Sequence, residues 1–138
     1  MRREEVLENV RSAVREVCQE YDVVAAYLFG SFVRGEEKED SDIDVAVFFR
    51  DYNINKLLEL GRKIQEEAGV EREIDVRALN RSGTAFSFRV ISEGEVLYES
   101  EASERADVEQ MIDRRYHDMK PYFEDYRREM KQRLASYG

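Results

Sequence analysis

Leu28-Phe29-Gly30-Ser31-Phe32-Val33-Arg34-Gly35 is followed, after five charged residues, by Ser41-Asp42-Ile43-Asp44-Val45-Ala46-Val47. The first segment closes a β-rich apolar run, Val23 to Phe29, that has no helical period and reads as a buried strand ending at Gly30. Ser31 to Gly35 then reads as a short helical turn, Glu36 to Asp40 as a solvated loop, and Asp42 to Phe49 as a second strand. Ten residues separate Ser31 from Asp42, giving G-S-x10-D-x-D. Side chains alternate along a strand, so Asp42 and Asp44 point the same way, their α-carbons roughly 6 to 7 Å apart. Ile43, Val45 and Val47 face the other way, toward helices.

A third acid extends the pattern. Glu73-Ile74-Asp75-Val76-Arg77-Ala78-Leu79 alternates polar and apolar residues, a half-buried strand with Asp75 opposite Ile74 and Val76. If the two strands lie side by side with apolar faces together, Asp75 joins Asp42 and Asp44. Three like charges so close raise one another's pKa and destabilise the fold unless a cation sits between them. Hard oxygen ligands select magnesium or manganese, and two such ions can clamp the attacking and leaving oxygens of a phosphoryl transfer. In that arrangement Asp42 and Asp44 hold both ions and a triphosphate, while Asp75 binds the ion near the incoming hydroxyl and accepts its proton. Gly30 lets the backbone approach a phosphate closely. The turn after it aims N–H groups at the anion, and the Ser31 hydroxyl adds a donor. Arg34 could neutralise the triphosphate or the departing pyrophosphate.

Plainer readings compete. Gly-Ser alone is usually a turn, and a lone D-x-D is usually surface polarity. Asp40, Asp42 and Asp44 also resemble the start of a calcium loop, but Val45 stands where a glycine is needed and no glutamate closes the loop at Asp51. The conjunction of Gly-Ser, the ten-residue spacing, D-x-D and a third aspartate in phase favours the nucleotide and metal site.

The rest of the chain reads as its frame. Glu4 to Tyr21 carries Val6, Leu7, Val10, Ala13, Val14 and Val17 on one helical stripe. Asn53 to Ala68 is a second helix with Leu57, Leu58, Leu60 and Ile64 inward, stopped at Gly69; Thr84 to Ile91 is a third, and Glu95 to Tyr98 a short strand. From Ser103 onward, Val108, Met111, Ile112, Tyr116, Met119, Tyr122 or Phe123, Tyr126, Met130 and Leu134 recur every three or four residues. This spacing predicts a long helical tail, kinked or divided at Pro121, that either packs on the domain or receives a partner helix. The order predicts one sheet backed by helices. Residues 1–100 form the core and residues 101–138 an extension within the same compact domain.

Composition narrows the partners. At 138 residues with 42% apolar and 38% charged content, the chain is globular and fits one domain. The net charge of -9 disfavours a nucleic-acid substrate, whose phosphates are bound by clustered Lys and Arg. Cys18, the only cysteine, allows no internal disulfide and reads as core filler in a reducing compartment. His117, the only histidine, excludes a Cys/His zinc set. No apolar run approaches the ~20 residues of a membrane span, and no signal peptide opens the chain. A cytoplasmic protein is expected.

The block from Gly30-Ser31 to Asp44, with Arg34-Gly35 and Ser41-Asp42-Ile43-Asp44, resembles the signature of the DNA-polymerase-β-like nucleotidyltransferase superfamily. That likeness covers about Val23 to Val76. Small size, Glu95-Val96-Leu97-Tyr98 and the helical tail are similar to the minimal nucleotidyltransferase (MNT) antitoxins of HEPN/MNT toxin–antitoxin pairs. The resemblance implies an α/β (α+β) fold, a mixed β-sheet backed by helices with a C-terminal helical extension. It also implies an adenylyltransferase that uses ATP and two magnesium ions, with manganese as a substitute, to place AMP on a tyrosine of a cognate HEPN ribonuclease toxin. Phosphate binding would fall on Gly30 and Ser31, and metal binding on Asp42, Asp44 and Asp75. The HEPN pattern of an Arg four to six residues before a His is absent, since Gln110, Met111 and Ile112 stand there before His117. Two other readings stay open: nucleotidylation of a small molecule such as an aminoglycoside, and a non-catalytic antitoxin acting by contact. Base preference is not legible, and a homo-oligomer is compatible with the sequence.

Overall fold

The computed structural model describes residues 2–137. Its elements run α1 (Arg3–Gln19), β1 (Val23–Phe29), α2 (Ser31–Arg34), β2 (Ile43–Phe49), α3 (Ile54–Ala68) and β3 (Ile74–Ala78). A 3-10 turn (Leu79–Arg81), α4 (Thr84–Glu93), β4 (Glu95–Glu99) and α5 (Ala102–Tyr137) complete the chain. The α1 stripe is buried as its periodicity predicts, with Cys18 inside it. α3 begins where the Asn53 side chain accepts the Asn55 N–H at 2.8 Å, and ends where Gly69 turns left-handed with φ 61°.

The four strands lie in the order β3-β2-β1-β4. β1 runs antiparallel to β2 and β4, and β3 lies parallel to β2, so the sheet is mixed. The β2-to-β3 connection is the α3 crossover that a parallel pair requires. One face of the sheet is sealed: Ile43, Val45, Val47 and Phe49 from β2, each 0% exposed, join Val10, Val14, Leu60 and Ile64 from α1 and α3. The other face is half covered. There Ala25, Tyr27 and Ala46 meet Val90 of α4 and Ile112 of α5. The uncovered part lies at the end of β2 that begins with the acids.

α5 is the long helical tail expected, without the division that was one of the two outcomes expected at Pro121. It runs as one helix through Pro121 instead of dividing there. Proline removes one N–H and leaves the carbonyl of His117 without its helical donor. The residues around Pro121 are exposed, so that carbonyl can turn to water. The first part of α5 packs on the domain through Ile112, Val108 and Met111, and Tyr116 stacks on Phe88 of α4 with centroids 4.0 Å apart. The far part does not: Met119, Tyr122, Tyr126 and Leu134 are exposed.

Candidate active site

β1 delivers the chain to Gly30, which adopts φ 84° and ψ -151°, backbone that L side chains rarely adopt. The space is as restrictive as the angle. A Cβ on Gly30 would stand 2.5 Å from Asp44 Oδ2, a distance real Cβ atoms do not tolerate. Glycine is required here because the carboxylate of β2 fits against the bare α-carbon. The Gly30 carbonyl accepts from the Val33 and Arg34 N–H groups at 3.2 Å. The N–H groups of Ser31 and Phe32 stay outside the turn's own hydrogen bonds.

The strand registers bring the acids together. Asp44 sits opposite Phe29 across the β1/β2 pair and beside Asp75 across the parallel β2/β3 pair. Both are half-buried, whereas Asp42, just before the strand, is exposed. The loop carrying Asp42 is stapled from outside the motif. Arg72 donates to the carbonyls of Lys38 at 2.7 Å and Ser41 at 3.1 Å, and its guanidinium lies over the Phe32 ring. The Ser41 hydroxyl accepts the Lys38 N–H at 2.7 Å, and the Ile43 N–H reaches the Glu73 carbonyl at 2.9 Å.

Electrostatics single out Asp44. Burial raises its pKa above the ordinary carboxylate value, and the charge of Asp75 and then that of Asp42 push the same way. Arg77 and Arg34 oppose them. Asp75 and Asp42 therefore both act on Asp44 through space. As the side chains stand, though, no three acidic, His or Cys side chains among the described residues close into a chelating set. The Arg77 Nε lies 3.3 Å from Asp75 Oδ2 and holds that carboxylate, with the guanidinium also over the Phe86 ring. Carboxylates without a cation between them repel, and an arginine on the third acid is one way to relieve that. The donor set fits a divalent cation on three counts: hard oxygens only, an acid whose ionisation its neighbours disfavour, and a glycine that keeps the approach open.

Arg34 lies within electrostatic reach of Asp44, but its Nε pairs with Glu36 Oε2 at 3.0 Å. It lines a cleft beside Gly30, walled by Phe29, Phe86 and Arg89. Phe29 and Phe86 meet edge to face at 5.3 Å. Arg77 and Phe86 were not among the residues singled out from sequence. Arg77 was legible in principle, since it stands two residues after Asp75 and so shares its face. Phe86 was not, because only the packing of α4 brings it there. His117 pairs with Asp113 one turn earlier on α5, an ordinary helix contact. Cys18 is buried, and burial pushes its thiol up to about 12, so it is no nucleophile.

Residues 12–103 match the profile of the family described as Polymerase beta, Nucleotidyltransferase. The chain is 32% identical over 83 residues to the protein adenylyltransferase MntA of Thermococcus cleftensis, covering 59% of this chain and 84% of that protein. It is 31% identical over 88 residues to a protein of Methanocaldococcus jannaschii assigned as a protein adenylyltransferase, covering 63% and 92%. A solved minimal nucleotidyltransferase shares 27% identity with a TM-score of 0.59, over 69% of this chain and 95% of that one. A chain from the complex of the tri-AMPylated Shewanella oneidensis HEPN toxin with its MNT antitoxin matches in fold, with a TM-score of 0.65 at 17% identity over 94% and 98%. Among the described residues no helix is long and apolar enough to cross a membrane.

Proposed function

The chain belongs to the polymerase beta nucleotidyltransferase family, and from that premise we propose that it is an antitoxin that silences a cognate HEPN ribonuclease by moving AMP from ATP onto a tyrosine. The observation that carries this reading is the register of Asp75 beside Asp44, with Gly30 stripped of a side chain against the same carboxylate. The curated relatives named as protein adenylyltransferases support the reaction class. The toxin complexes among the structural matches support the partner.

Asp42, Asp44 and Asp75 would hold magnesium, which when bound neutralises triphosphate charge and polarises the α-phosphate. The N–H groups after Gly30 and the Ser31 hydroxyl bind the β- and γ-phosphates. Asp75 accepts the proton of the tyrosine hydroxyl as its oxygen bonds to the α-phosphorus. The bond from the α-phosphorus to the bridging oxygen breaks, and pyrophosphate leaves on the Gly30–Ser31 side. Arg34 reaches the leaving group by exchanging Glu36 for it. The exposed stripe of α5, with Tyr122 at 69%, Tyr126 at 64% and Leu134 at 67%, gives the toxin an apolar surface to hold.

That same stripe favours one second reading, inhibition by contact alone. Incubating the full chain with α-labelled ATP, magnesium and the HEPN protein encoded beside it separates the two. Label should reach a toxin tyrosine and ribonuclease activity should fall. Asp42→Asn combined with Asp44→Asn should abolish both effects. Full neutralisation by the double variant would establish contact as sufficient.

A further inference from the structure

The end of the half-covered face farthest from the acids holds a second cavity, between β2, the 3-10 turn, α4 and α5. Its apolar lining is Phe48, Leu79, Met111 and Ile112. Its polar lining is not arranged like an ordinary solvated rim.

α4 begins at this cavity, and its N-cap is Gly83, so no side chain caps the helix. Ser87 is the first residue whose N–H is taken within the helix, by the Gly83 carbonyl at 2.9 Å. The N–H groups of Thr84, Ala85 and Phe86 are left over at the positive end of the helix. Independently, Ser87 is 4% exposed and lines the cavity. Among the described residues its hydroxyl has no hydrogen-bond partner. A serine inside a helix ordinarily bonds the carbonyl four residues back or faces water; this one turns its hydroxyl to the cavity. Arg115 of α5 lines the same cavity and has no carboxylate partner among the described residues. It is exposed on the outer side of the cavity, its guanidinium open to a ligand. The Thr84 hydroxyl at the helix start is a further donor to the cavity, whereas Asn80 and Ser82 are already used. The Asn80 amide accepts the Phe49 N–H at 2.9 Å and donates to the Phe49 carbonyl at 2.8 Å. The Ser82 hydroxyl donates to the Ala78 carbonyl at 2.8 Å.

We propose that this cavity binds an oxyanion, a phosphate or carboxylate group, carried on an apolar body. The oxyanion takes the α4 N–H groups, the Ser87 hydroxyl and the Arg115 guanidinium, all donors. The body lies on Phe48, Leu79, Met111 and Ile112. The site stands apart from the acids, since Phe48 is four residues along β2 from Asp44. Attraction here is local, because the protein as a whole repels anions.

The test is a titration of the full 15N-labelled chain with phenyl phosphate and, separately, with benzoate, followed through backbone amide shifts. Saturable shifts at Thr84, Ala85 and Phe86 are expected with at least one probe: saturation by phenyl phosphate alone assigns a phosphate ligand, and by benzoate alone a carboxylate. Arg115→Gln should weaken that binding about tenfold, and Ser87→Ala about threefold. Neither variant should alter shifts at Gly30 and Ser31, which report the acid site. No saturable shift at residues 84–86 with either probe, or equal affinity in Arg115→Gln, would overturn the proposal.

Discussion

β2 presents two opposite surfaces from alternate residues. Ile43, Val45, Val47 and Phe49 are each fully buried against α1 and α3, while Asp44 on the opposite surface stands half-buried beside another carboxylate. The first surface lowers the free energy of the fold by removing apolar area from water. The second raises it, since burial and two like charges disfavour the ionised Asp44. Adjacent residues of one strand therefore do opposite work, and stability on one side supports a strained charge arrangement on the other. Substitutions one residue apart should then separate fold from chemistry.

The largest effect is expected at Asp44. Asp44→Asn should lower the rate of adenylyl transfer by about a thousandfold or more, since it removes a charge aimed at the reacting phosphate. Circular dichroism should show the fold unchanged. Equal loss of fold and activity would erase the distinction between the two surfaces.

Gly30→Ala comes next. The added Cβ meets Asp44 Oδ2 at 2.5 Å on backbone with φ 84°, so either the turn or the carboxylate must move. A loss of roughly a hundredfold in kcat/KM is expected from misplacement alone. An active Gly30→Ala would show that the close approach is incidental.

Val45→Ala tests the sealed surface. Truncating a fully buried valine should cost about 2 kcal/mol, read as a fall of roughly 6–10 °C in Tm. Transfer per folded molecule should be unchanged.

The smallest effect sharpens the comparison most. The folded-state pKa of Asp44 lies above its unfolded value, so the fold is penalised once that group ionises. The penalty is absent below the unfolded carboxylate value of about 3.9 and complete above the raised one. Asp44→Asn should therefore raise Tm near pH 7, modestly because the group is partly exposed. The gain should vanish near pH 3. A gain of the same size at both pH values would place its cause in packing, not charge.

The sequence foretold the sealed surface well because alternation and helical period are local signals. Val45 and Asp44 had to face opposite ways whatever the topology, and Leu60 and Ile64 had to share a face of α3; Leu58, also read as inward, stands 64% exposed because it lies two residues off that stripe. The placement of Asp75 next to Asp44 was conditional on β3 pairing with β2, which no local signal fixes; the α3 crossover settles it. Arg72 could not be read as the staple of the Asp42 loop, because the 34 residues back to Lys38 are bridged only by tertiary packing. Phe86 was hidden for the same reason. The long α5 was read as kinked or divided at Pro121 because proline is costly inside a helix; it is not divided, and the exposure of the residues flanking Pro121 was not visible in the spacing.

The central claim, that carboxylates from β2 and β3 share divalent ions beside Gly30, is tested most directly by crystallising the full chain with manganese and a non-hydrolysable ATP analogue and mapping anomalous scattering. The account expects manganese peaks ligated by Asp42 and Asp44, one of them also by Asp75, with Arg77 released from that carboxylate and the β- and γ-phosphates on the Gly30–Ser31 turn. Peaks confined to other residues, or Asp75 still paired with Arg77 while the nucleotide is bound, would contradict it.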